Sequence, residues 1–205
     1  MKVIIKQVER VFDYFFKIDK AVLQYEQFDG TLSPERVRLN FNRGHSVAIL
    51  IYNQTSDTVV LTRQFRYPAY VGDPGQGWIL EIVAGMLESE ASPFEMATKE
   101  IFEETGYQAT HLEPIYHFFV SPGGTSEKIY LFFTIVTDND RRGKGGGVAT
   151  EGEDIQVEHI KLERTFEMLQ TGAICDAKTI IALQWLKQNL ARLPGRQQDL
   201  QDKKV

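Results

Sequence analysis

The stretch Gly85 to Tyr107, GMLESEASPFEMATKEIFEETGY, decides how this chain is read. Ser92-Pro93-Phe94-Glu95 has the form of a capping box with proline at the first helical position, so a helix is predicted from Pro93. Gly106 is the residue type favoured just past a helix C-terminus. Between these stops Phe94, Ala97 and Ile101 recur at three- and four-residue steps, which predicts a stripe facing a core. Glu100 and Glu104 lie one turn apart on another face, with Glu103 beside them. Like charges at this spacing cost about 0.2–0.5 kcal/mol per pair. A hard divalent cation bound by carboxylate oxygens is the natural agent to offset that cost.

With these residues in register, the stretch resembles the Nudix box, the signature of Mg²⁺-dependent hydrolases of nucleoside diphosphates linked to another moiety. The family pattern is glycine, five residues, glutamate, seven residues, then R-E-U-x-E-E-x-G-U, with U bulky and apolar. Gly85, Glu100, Ile101, Glu103, Glu104 and Gly106 match, and Tyr107 takes the last position. Ala91 stands where the first glutamate is expected, and Lys99 where the family has an arginine that orients a neighbouring glutamate. Lysine keeps the charge and loses the planar two-pronged donor. The resemblance implies a Nudix-type αβα sandwich with a mixed sheet. It also implies Mg²⁺, with Mn²⁺ as a substitute, held by Glu100, Glu104 and the backbone carbonyl of Ala84. Glu103 is then a shared ligand or one acting behind these, and Lys99 takes the arginine's place.

Outward from the box, the 205-residue chain carries a formal net charge of −5 and 42% hydrophobic residues, ordinary values for a soluble globular protein. The acidic balance argues against general nucleic-acid binding, which uses a clustered basic surface. Cys175 is the single cysteine, so no intrachain disulfide forms and a reducing cytoplasm is expected. The N-terminal run MKVIIKQVERVFDYFFKIDK scatters charges through its apolar residues, unlike a signal peptide. No stretch approaches the ~18 uncharged apolar residues that span a bilayer.

Residues 1–43 read as a small β-rich segment. Strands are expected at Val3 to Val11, Phe16 to Phe28 and Arg36 to Phe41, with Asp29-Gly30 as a turn. The segment is too small to bury a good core and is expected to pack on the next domain or on a second copy, giving a homodimer. Residues 44–193 form the main domain. Its expected strands are Val47 to Tyr52, Val59 to Leu61, Ile79 to Val83, Ile115 to Val120, Ile129 to Val136 and Ile155 to Leu162. Asp138 to Gly152, DNDRRGKGGGVATEG, reads as a mobile loop. A short helix is expected at Thr165 to Gln170, and a longer one from an Asp176 cap to about Leu193. Residues 194–205 are polar and expected to be disordered.

Further segments are similar to the ADP-ribose pyrophosphatase and nucleoside-diphosphate-sugar branch of the family. They include Arg43-Gly44-His45, Arg63 to Arg66, Glu81 to Gly85, Ser121 to Glu127 and Ala177 to Leu186. In that branch a loop supplies a further metal ligand and a carboxylate acting on the attacking water. The Glu151-Gly152-Glu153-Asp154 cluster implies Glu153 as the ligand and Glu151 as the general base. Arg66, Arg43 and Arg38 offer planar donors for phosphate oxygens, with Arg38 reaching across a dimer interface. The branch also implies Phe15 or Phe16 stacking on the base, Met86 lining the pocket, Ser121 and Gly123 touching substrate, and Glu127 bonding a ribose hydroxyl.

The expected reaction is Mg²⁺-dependent hydrolysis of the diphosphate of a nucleoside diphosphate sugar, with ADP-ribose favoured as substrate. GDP-mannose is the close competitor, because Gly145-Gly146-Gly147-Val148 and Lys99 resemble the GDP-mannose hydrolases of the same branch. A reading of another class is a Nudix-derived sensor that binds such a sugar without turnover. Ala91 and Lys99 are its support.

Overall fold

The computed structural model describes residues 1–88, 90–194 and 196, apart from the side chain of Glu151. The expected order or disorder of the tail therefore falls largely outside the described residues. The chain divides into two compact units.

The first unit comprises Met1–Ser46 and His117–Ile129. Strands β1 (Val3–Asp13), β2 (Lys17–Tyr25) and β3 (Arg36–Asn42) form an antiparallel sheet in that order. β2 stops at Tyr25 rather than Phe28 because the Asp29-Gly30 turn begins earlier. Asp29 accepts from the Thr31 N–H at 2.9 Å, and Gly30 takes a φ of 84°. Within this unit the Phe41 N–H donates to the carbonyl of Gly124 at 2.9 Å, tying β3 to the 117–129 excursion.

The second unit comprises Val47–Tyr116 and Tyr130–Val205. It is built on a seven-stranded mixed sheet whose main path runs β10 (Gln156–Lys161), β5 (Thr58–Phe65), β4 (Ser46–Asn53), β9 (Lys128–Val136), β8 (Glu113–Phe119). β6 (Trp78–Glu81) pairs with β5, and β7 (Val83–Met86) with β4. β4 is buried at all eight positions, as expected of a central strand covered on both faces. Side chains alternate across a strand. Val47, Ile49 and Ile51 therefore share one face, where they join Met96, Ala97 and Ile101 of helix α2 (Pro93–Thr105) in the main core. Phe132 of β9 joins the same cluster, whereas its neighbour Phe133 meets Trp185 of helix α4 (Ala177–Gln188) at 5.1 Å between ring centroids. The alternation thus puts α2 and α4 on opposite faces: the expected αβα sandwich.

Other expectations change as well. Phe94 is exposed, and Met96 takes its place in the core stripe. The Ile79–Val83 run is two strands broken at Ile82, whose N–H turns to the Thr179 hydroxyl at 2.9 Å. The last helix ends at Gln188, with a 3₁₀ turn at Leu190–Arg192. Helix α1 (Tyr67–Gly72) was not expected, since six residues carry no periodicity to detect. Helix α3 (Leu162–Gln170) completes the unit. The capping box of α2 forms as read: Ser92 accepts from the Glu95 N–H, Glu95 from the Ser92 N–H, and Gly106 closes the helix at φ 75°. Among the described residues no helix is long and apolar enough to cross a membrane.

Candidate active site

β7 leads into α2, and the two pack together. Gly85 is required there by space rather than by φ. A Cβ on it would stand 1.9 Å from Oε1 of Glu100, so the Glu100 carboxylate lies directly against the β7 backbone. One turn further along α2, Glu104 is only 1% exposed, and its Oε2 has no hydrogen-bond partner among the described residues. Burial, and then the charges of Glu100, Glu81 and Glu153, push the Glu104 carboxyl well above its ordinary pKa; Arg66 opposes this. Carboxylates from β6, α2 and the loop before β10 therefore all act through their charge on one buried carboxyl.

Glu153 is positioned by the glycine tract. The N–H groups of Gly146 and Gly147 donate to the carbonyls of Glu104 and Glu103 at 2.8 and 3.1 Å, and those of Arg142 and Gly143 to Gly106. These bonds satisfy carbonyls that a helix C-terminus leaves without partners. Gly145 lies so close that a Cβ would meet the Glu104 carbonyl at 2.4 Å. The run expected as a mobile loop is thus tied to the end of α2 over residues 142–147. Its Val148 N–H holds Glu153 Oε2 at 2.9 Å. Glu151 ends a 3₁₀ turn at Ala149–Glu151, and its side chain lies outside the described residues.

Glu81 received no role from the sequence, yet it is 2% exposed and ion-paired twice. Arg66 Nε donates to Oε1 at 2.8 Å, and Lys178 Nζ contacts Oε2. The signal was there: a lone carboxylate in the apolar run Trp78 to Ala84 must find partners when buried. Lys99 Nζ bonds Glu88 at 3.1 Å. That bond, followed by the field of Glu103, raises the Lys99 pKa. A lysine reaches only one carboxylate well at a time, which is the difference from arginine noted above. Met86, the last residue of β7, is exposed.

In the first unit a separate group forms. Glu127 is buried, accepts from the Ser46 hydroxyl at 2.7 Å and faces Arg43 at 3.6 Å. Arg43 stacks over Phe16 at 5.8 Å, and its buried Nε is without a partner among the described residues. Ser121 to Thr125 make the expected tight turn, with Ser121's carbonyl accepting from Gly124 and Thr125. Gly123 is exposed, as are Phe15 and Arg38.

The NUDIX domain family model matches residues 42–183. The chain belongs to the Nudix family. Among curated relatives, this Nudix hydrolase is 37% identical over 172 residues to the GDP-mannose pyrophosphatase of Pectobacterium atrosepticum, covering 84% of this chain and 87% of that one. It is 35% identical over 175 residues to the GDP-mannose pyrophosphatase of Escherichia coli O139:H28, covering 85% and 90%. Among solved structures it superposes on an ADP compounds hydrolase with a TM-score of 0.71 at 21% identity, covering 96% of this chain and 97% of that one. At that identity the likeness is one of fold.

The site's donor set suits a hard divalent cation. The buried Glu104 Oε2 has no hydrogen-bond donor among the described residues, and an uncompensated buried carboxylate is costly. Among the described residues no three carboxylates already stand as a closed cage. Mg²⁺ keeps several of its waters and needs few protein oxygens. Glu100, Glu104, Glu153 and the Ala84 carbonyl are the groups that would hold it.

Proposed function

We propose that this Nudix hydrolase cleaves the diphosphate of a nucleoside diphosphate sugar, with GDP-mannose ahead of ADP-ribose. The observation that carries the reaction is the buried Glu104 oxygen, without a partner among the described residues and under the charge of three further carboxylates. The order of substrates rests on the relatives named for GDP-mannose at 35–37% identity, and on Lys99 and the glycine tract. ADP-ribose, favoured by the sequence reading, becomes the second candidate. Incubation with Mg²⁺ should release GMP and mannose 1-phosphate from GDP-mannose, and AMP and ribose 5-phosphate from ADP-ribose more slowly. Binding across a panel of nucleotide sugars with no product formed would replace the enzyme with the sensor.

A bound divalent cation neutralises diphosphate charge and lowers the pKa of a coordinated water. The protein's own groups do the rest. Glu104 and Glu100 present oxygens from one helix face, and Glu153 is aimed by the Val148 N–H. Glu151 is the proposed general base on the attacking water. Arg66 is the proposed grip on a phosphate, while Arg43, Arg38, Phe15 or Phe16, Ser121, Gly123 and Glu127 are proposed contacts to the rest of the substrate.

We also propose a homodimer through residues 1–43, which we read as a distinct N-terminal β segment. Val3, Ile5, Val8, Phe12, Val37 and Leu39 of its sheet are all exposed, more apolar surface than a monomer commonly leaves to water. Light scattering should report twice the chain mass, and a monomeric mass would refute the dimer. The lone free Cys175 agrees with a reducing cytoplasm as the proposed location.

A further inference from the structure

We propose that the outer face of α2 carries a second nucleotide site, one that takes a purine nucleoside monophosphate. Glu95, Thr98, Lys99 and Phe102 recur at helical spacing along that face. With Gln108 and Arg142 across from them they line an open groove of about 570 Å³. Small-molecule sites run from ~300 to ~1,000 Å³. Glu100 and Glu104 turn away from it, toward β7 and the interior, so the groove is separate from the proposed metal centre.

The wall opposite α2 is a short ladder. Tyr107 and Arg141 form an isolated antiparallel bridge; beside it the Gln108 N–H donates to the Asp140 carbonyl at 2.9 Å and the Arg142 N–H to that of Gly106 at 2.8 Å. Side chains alternate across such a ladder. Tyr107 and Arg141 therefore line a different cavity, with Asp138 and His159, while Gln108 and Arg142 face α2.

These side chains offer one group for each part of a nucleotide. Phe102 is 47% exposed although its ring tip packs near Gly143, and it presents the kind of flat apolar platform on which bases stack. The side chains of Gln108 and Arg142 make no hydrogen bond or ion pair among the described residues. Gln108 has both a donor and an acceptor for a base edge, and Arg142 a planar fork for phosphate oxygens. Asp140, an acidic group that senses Arg142, has its carboxylate held by the N–H and hydroxyl of Thr137 at 2.7 Å. Glu95 gives Oε2 to the Ser92 N–H and leaves Oε1 for a ribose hydroxyl. With Lys99 the groove carries two cations against one carboxylate, a balance that suits a single phosphate. A ligand spanning Phe102 and Arg142 would join α2, which carries Glu104, to the glycine tract that leads to Glu153, giving the site a route to the reaction centre.

The test uses the full chain in magnesium-free buffer, with 8-azido-GMP as a photoaffinity probe, labelled peptides read by mass spectrometry, and affinities measured by calorimetry. Label should fall within residues 95–108 or 140–143. GMP and AMP should displace it, and ribose 5-phosphate and inorganic phosphate should do so at least about tenfold less well, since neither has a base to stack. Phe102→Leu should lower groove labelling and the matching affinity about tenfold, and Phe102→Tyr should restore both. Arg142→Gln should weaken GMP about tenfold and leave guanosine unchanged, because only the phosphate is lost from its reach. Arg66→Ala, which alters the proposed diphosphate grip, should leave groove labelling as it was. Label confined to other peptides, displacement by inorganic phosphate as readily as by GMP, or full affinity in both Phe102→Leu and Arg142→Gln overturns the proposal. A chain that labels in the groove yet cleaves no nucleotide sugar refutes the catalytic reading alone. One that cleaves nucleotide sugars with the groove unlabelled overturns the second site alone.

Discussion

Glu104→Gln should abolish turnover, by more than about a hundredfold, while leaving the fold intact. Glutamine keeps the shape of the side chain and removes the anionic oxygen that has no partner among the described residues. In magnesium-free buffer the variant should melt no lower than wild type, because an uncompensated carboxylate no longer has to be desolvated. The pH dependence has a definite sign. The folded protein holds the Glu104 proton more tightly than the unfolded chain does, since burial and then the neighbouring carboxylates raise its pKa. Metal-free wild type should therefore lose stability as pH rises from the ordinary carboxylate range toward the raised folded value. Glu104→Gln should flatten that slope. Added Mg²⁺ should raise the melting temperature of wild type and do so much less for the variant, as linkage requires. Full activity in Glu104→Gln, with an undiminished magnesium shift, would remove Glu104 from the metal site.

Gly85→Ala should cost about ten- to a hundredfold in kcat, with a weaker dependence on Mg²⁺, and little in stability. The backbone at Gly85 lies outside the left-handed region, so alanine is tolerated by the chain itself. The added methyl collides with the Glu100 carboxylate at 1.9 Å, and a side chain moves more readily than a strand. Glu100 must swing off the β7 backbone. Gly72→Ala is the control, since a methyl there meets nothing within 4 Å. Steady-state rates across a magnesium titration decide the matter. Wild-type rates in Gly85→Ala would mean that the close approach of Glu100 has no part in the chemistry.

These two residues show why the capped helix and its carboxylate register were legible in the sequence. The signals were local: a capped helix fixes which residues share a face, and Gly85 precedes it at a short, fixed distance. A charge repeated one turn apart is visible in a string of letters. The glycine tract was legible only as composition. Flexibility was the natural reading of Gly145 to Gly147, yet their bare Cα atoms serve to bring the loop against the carbonyls of Glu103 and Glu104. Lys99 was legible as a departure, but its bond to Glu88 depends on how the turn before α2 folds.

By itself the sequence determined the helix, its caps, its carboxylate register and the strand-helix order of the sandwich, because each follows from contacts within a few residues. Only the tertiary structure decided that Glu81 and Glu153 act through their charge on Glu104, and that Arg66 and Lys178 share one carboxylate. Those pairs are separated by many residues in the chain. Their energetics come from burial, a property that exists only once the sheet has closed water out.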